Sequence, residues 1–204
     1  MALTVSGREC ELREIVLRDK PVEFLNTSPS ATVPALVTVD GTVLDESLDI
    51  MLWALERNDP ESWLAPDTGD VNEMLLLIEK MDGSFKSNLD KYKYANRHTL
   101  ADTVAFAMEH RDAAMQDIAA LESMLQNHPY LFGDRLSLAD IAIAPFVRQF
   151  ANVDADWFAA QPCPLVQKWL ANFTSGELFL SVMDKYPQWR SGTPGLNFPD
   201  RKAA

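Results

Sequence analysis

Two thiols, three imidazoles, a lysine beside a proline, a Val-Pro pair and a hydroxyl at a helix start are the groups whose placement invites chemistry. Cys10 and Cys163 stand far apart and lack the spacing of a metal site. Cys10 lies in the alternating run 9–16 and reads as a strand residue rather than a redox centre. His98, His110 and His128 all fall in the later, helix-rich part of the chain. Glu46 and Ser47 open a run with Leu48, Met51, Leu52 and Leu55 at helical spacing. The unbonded amides and positive end of such a helix favour a carboxylate, while Ser47 equally suits an ordinary helix-start hydroxyl. Pro34 removes one amide donor and by itself suits the start of a strand. Lys20 by itself is a solvated charge before a loop.

The elements that must position these groups change character along the chain. The run 9–16 predicts a partly exposed strand that Lys20-Pro21 interrupts, then a helical turn at Phe24-Leu25 and a loop at Ser28-Pro29-Ser30. Residues 33–39 predict a second strand, Asp40-Gly41 a hairpin turn and Thr42-Val43-Leu44 a returning strand, followed by a helix over 45–56. Turn chemistry at Pro60, Pro66 and Gly69 marks a linker over 58–70. Beyond it the pattern is helical, over 71–92, 99–127, 138–150, 165–173 and 177–186. A tail rich in Pro, Gly and charge over 187–204 reads as surface. The sharpest local signal is Leu136-Ser137-Leu138-Ala139-Asp140-Ile141. Here Ser137 and Asp140 form a capping box and Leu136 and Ile141 a hydrophobic staple, opening an apolar and therefore central helix.

Composition narrows the partners. The 204 residues hold 30 acidic and 18 basic side chains, a net charge of −12 that supplies no excess for phosphate neutralisation. Nucleic acid and anionic membrane are therefore not expected as partners, and no apolar run has the roughly 20 residues of a membrane span. Residues 1–8 lack a secretory layout, and two unpaired thiols suit a reducing cytoplasm. No metal is expected.

These pieces, in this order, resemble the glutathione transferase superfamily. The resemblance rests on Lys20-Pro21, Thr32-Val33-Pro34-Ala35-Leu36, Asp45-Glu46-Ser47 and the capped helix from Ser137 to Phe146, and spans most of the chain. Asp19-Lys20-Pro21 is most similar to the omega-type, cysteine-using members. The resemblance implies a thioredoxin-like α/β first domain over 1–57, a linker over 58–70 and an all-helical second domain over 71–186. It further implies a cis Val33–Pro34 bond whose bent backbone pairs with the cysteinyl unit of glutathione. Glu46 and Ser47 would receive the γ-glutamyl carboxylate, and Lys20 the glycyl end. Glutathione enters as co-substrate, a small electrophile or a disulfide as second substrate, and a homodimer as the assembly.

Family members begin with a strand and a loop carrying a catalytic Ser, Tyr or Cys. Here residues 1–7 are similar only to the end of the following helix, with Gly7 at its C-cap. The first strand is therefore expected to be missing and no catalytic residue is assigned. Either the start codon sits at an internal Met of a longer product, or a naturally short form is remodelled or completed by a partner; the otherwise unaltered residues favour the first. The expected function is a glutathione-dependent transferase or thiol-transferase in full-length form, inactive as this chain alone. A non-catalytic binding or dimerisation module of the same fold is the alternative.

Overall fold

The computed structural model describes residues 1–28, 30–99 and 101–199, so Pro29, Leu100 and the end of the tail lie outside the described residues. In chain order the elements are α1 (Ala2–Val5), β1 (Cys10–Leu12), α2 (Val22–Thr27), β2 (Leu36–Val37), β3 (Val43–Leu44), α3 (Ser47–Leu55) and α4 (Val71–Lys80). There follow α5 (Lys86–Lys93), α6 (Thr103–Met124), α7 (Leu138–Ala151), α8 (Ala155–Ala159), α9 (Pro164–Ser175), α10 (Glu177–Ser181) and β4 (Leu196–Phe198). They fall into two units, Met1–Glu61 with Glu177–Ala204, and Ser62–Gly176.

The first unit contains two antiparallel strand pairs. In one, β2 and β3 form a hairpin with Leu36 opposite Leu44 and Val37 opposite Val43. Its turn closes as Thr38 N–H donates to the Thr42 carbonyl at 2.9 Å, with Gly41 at φ +87°, a backbone that other residues rarely adopt. Helix α3 packs on α1 and buries Ile50, Ala54 and Leu55. That face is rotated from the Leu48, Met51, Leu52 and Leu55 stripe in the sequence. In the other pair, β1 meets β4, with Cys10 opposite Phe198 and Leu12 opposite Leu196. The strand expected over 9–16 is thus only three residues long, the length its distant partner offers. The stretch expected as a surface tail instead supplies that partner and buries Trp189.

The second unit is helical. Helix α4 begins with a capping box in which Asp70 accepts from the amides of Asn72 and Glu73. A single π-helical turn, Met81–Phe85, separates α4 from α5 and turns Met81 and Phe85 inward. Together with Met74, Ile78, Leu89, Ile118, Leu121 and Val147 they form the core. Helix α9 is capped from another helix, because the Glu122 carboxylate accepts from the amides of Leu165 (3.1 Å) and Val166 (2.8 Å). Ser137 and Asp140 form their capping box at the start of α7, which carries Pro145 and is buried along most of its length. No helix among the described residues is long and apolar enough to cross a membrane.

Candidate functional site

Register places the candidate residues of the first unit. Leu36 faces Leu44 in the hairpin, so Pro34, two residues before Leu36, and Glu46, two residues after Leu44, both leave the end opposite the Asp40-Gly41 turn. Neighbouring strands lie about 4.8 Å apart, so the two exits start from adjacent points. The Val33–Pro34 bond is cis, the isomer that the resemblance implies. Val33 and Pro34 are exposed, and among the described residues no hydrogen bond reaches the Val33 backbone. An extended ligand could pair with it as an added strand does.

The other exit is a bare helix start. Glu46 is extended (φ −117°, ψ 141°) and caps α3 without a side-chain hydrogen bond, and Ser47 is the first helical residue. The first hydrogen bond into the helix comes from the Ile50 amide to the Glu46 carbonyl at 3.1 Å. The preceding amides, those of Ser47, Leu48 and Asp49, have no partner within the helix and point outward with its positive end. Glu46 and Ser47 are exposed. This arrangement suits a carboxylate.

Lys20 reaches the loop that precedes Val33. Its Nζ donates to the Ala31 carbonyl at 2.9 Å. Hydroxyls stiffen the same loop, with Ser30 Oγ 2.6 Å from Thr32 Oγ1 and 3.1 Å from Ser28 Oγ. Ser28 is itself buried. The ammonium is therefore fixed beside the Val-Pro bend and keeps two N–H donors for a ligand anion. The Ala31 contact could not be read from Lys20's surroundings in sequence; only the Lys-Pro pair hinted at a fixed lysine.

Neither cysteine of the chain is an activated thiol. The Cys10 thiol is half-buried and pushed up from its ordinary value by that burial, as is the buried Cys163 thiol in the second unit, which Glu122 raises further. Such thiols stay protonated and unreactive at neutral pH. No group of three His, Cys, Asp or Glu among the described residues could hold a metal. A hollow of about 590 Å³ lies by the turn end of the hairpin, lined by Arg8, Thr38, Val39, Trp53 and Arg57 among others. A smaller one, about 340 Å³, is lined by Asp19, Pro21 and residues 188–191. Neither hollow is lined by Val33, Pro34, Glu46 or Ser47, all four of which are exposed.

Residues 1–63 match the family model for the glutathione S-transferase N-terminal domain, and residues 88–172 the model for the glutathione S-transferase C-terminal domain. Glutathione S-transferase DHAR2 of Arabidopsis thaliana is 30% identical over 133 residues, covering 64% of this chain; the chain spans only 54% of that protein's length. Glutathione S-transferase GstB of Escherichia coli K12 is 29% identical over 167 residues, covering 74% of this chain and 73% of the relative. A glutathione transferase family member from Pseudomonas fluorescens Pf-5, solved with two glutathione bound, superposes with a TM-score of 0.74 at 19% identity over 88% of this chain and 83% of the other. The fold is that of a thioredoxin-like N-terminal domain followed by a helical C-terminal domain.

Proposed function

We propose, for a chain that belongs to the glutathione S-transferase superfamily, that its first unit binds glutathione through the open end of the β2–β3 hairpin. The Val33 backbone at the Pro34 bend pairs with the cysteinyl unit. The amides beginning at Ser47, beside Glu46, receive the γ-glutamyl carboxylate, and Lys20 meets the glycyl carboxylate. The observation that carries this reading is the Leu36–Leu44 register, which brings the Val33–Pro34 bend and the bare start of α3 to one end of one hairpin. Two carboxylates and one extended backbone are what glutathione presents, and two donor sets flanking an unpaired strand are what the unit presents.

The reaction class that follows is glutathione-dependent transfer to a small electrophile or exchange with a disulfide, in the manner of the omega-like members, by a cytoplasmic homodimer. Two free thiols support the reducing compartment. The raised Cys10 and Cys163 thiols favour a second reading, binding without turnover by this chain's own side chains.

Calorimetry with reduced glutathione tests the binding. Proline is tolerated at the first helical position, and Glu46 already has the extended backbone that a following proline requires. Ser47→Pro therefore keeps α3 and deletes one amide donor, and it is expected to weaken binding about tenfold, the loss of one charge-assisted bond. Unchanged affinity would place the carboxylate elsewhere. Parallel assays of conjugation and thiol–disulfide exchange separate the two readings: turnover above the uncatalysed rate favours the transferase, saturable binding without it the binding module.

A further inference from the structure

We infer that the C-terminal stretch 187–198 is a strap that positions Lys20 for an anionic ligand; that the anion is a carboxylate of glutathione rests on the reading above. Lys20 lies in a segment, 14–23, whose own backbone contributes little order. Among the described residues its own backbone hydrogen bonding runs through the Val16–Asp19 bridge and the first turn of α2. The strap fastens this segment on both sides of Lys20. Upstream, the Trp189 amide donates to the Glu14 carbonyl at 2.8 Å. Downstream, the Ser191 hydroxyl donates to Glu23 Oε1. Between the two, Asp19 and Pro21, the neighbours of Lys20, face residues 188–191 across the smaller hollow.

The strap is itself held in one register. Trp189 is 9% exposed, lies under the Arg13 guanidinium at 4.8 Å and donates from its indole to the Thr193 carbonyl at 2.7 Å. Glu11 Oε1 accepts from both Arg13 Nε and the Gly195 amide, each at 2.8 Å. Gly195 runs so close to β1 that an added Cβ would stand 2.5 Å from the Leu12 carbonyl oxygen. The β1–β4 pairing then completes the attachment. One buried indole, one shared carboxylate and three strand pairs therefore fix the segment from which Lys20 reaches Ala31. With the strap released, Lys20 loses the two fastenings that flank it, and its ammonium samples many positions instead of one.

The test is a double-mutant cycle between the strap and Lys20, read as affinity for reduced glutathione. Trp189→Ala is expected to raise Kd about two- to fivefold, the range of one exposed charge pair. In a Lys20→Ala background it is expected to change nothing further. An equal loss in both backgrounds would mean that the strap merely holds the unit together and would overturn the inference, as would no loss in either. Should Trp189→Ala not fold, Gly195→Ala releases β4 by the clash at Leu12 and takes its place. Amide exchange provides a readout independent of glutathione: release should speed exchange at residues 18–23 and leave 43–55 unchanged. If the wild-type chain binds no glutathione, the reading of the site falls, and exchange alone decides the strap. Faster exchange at 18–23 supports it, and unchanged exchange there overturns it.

Discussion

Asp140 shows how much one side chain can organise. It has no solvent exposure, and its carboxylate receives four donors. Oδ1 accepts from the Leu131 amide (3.0 Å) and the Trp169 indole (2.9 Å), and Oδ2 from the Ser137 amide (3.0 Å) and hydroxyl (2.7 Å). Burial pushes its carboxyl above the ordinary aspartate range, against the pull of those donors. The sequence showed the half of this network that lies within four residues, the Ser137–Asp140 box. Leu131 and Trp169 join it through tertiary packing that no local pattern encodes. Asp140→Ala orphans four buried donors, and we expect a loss of about 3–5 kcal/mol in urea-unfolding stability. Asp140→Asn keeps an oxygen for Leu131 and Trp169 and should cost clearly less. Equal stability of wild type and Asp140→Ala would contradict this account.

Among elements, legibility tracked the distance between partners. Helix α7, with its cap three residues from its acid, and the Asp40-Gly41 hairpin were both readable because their determinants are neighbours in sequence. Strand β1 was visible as an alternation, but its length and its partner were not, since β4 lies at the far end of the chain in a stretch with the composition of a loop. The bend of the 58–70 linker was equally hidden. Asp67 there accepts from the amides of Asp134 (2.9 Å) and Arg135 (3.1 Å) and from the Arg135 guanidinium at 2.7 and 2.8 Å. The Arg135 bond, followed by the amides, holds the Asp67 carboxyl below its ordinary value. A depressed folded-state pKa stabilises above the unfolded value of about 3.9, and that stability disappears as pH falls through the folded-state pKa. Asp67→Asn should therefore unfold at lower urea concentration than wild type at neutral pH, with the gap closing at more acid pH. A gap that widens on acidification would reverse the assigned sign. Asp140, with its raised carboxyl, has the opposite sign and is common to both proteins, so it cancels from the comparison.

At the scale of the molecule, a net charge of −12 leaves anion binding to local donors. In the proposed site the first unit supplies them from the two strands that leave one end of one short hairpin, and from one strapped lysine. The individual residues, Lys20, Val33, Pro34, Glu46 and Ser47, were nameable from sequence by family resemblance. Their geometric relation comes from the Leu36–Leu44 pairing, and the hold on Lys20 from a tail that composition alone assigned to solvent. Because backbone amides make the proposed site, amide NMR shifts of the labelled chain titrated with reduced glutathione report on it at the donating atoms. Saturable shifts are expected at Val33, Ser47, Leu48 and Asp49. No shifts, or shifts confined to residues away from the open end of the hairpin, would contradict the proposed site.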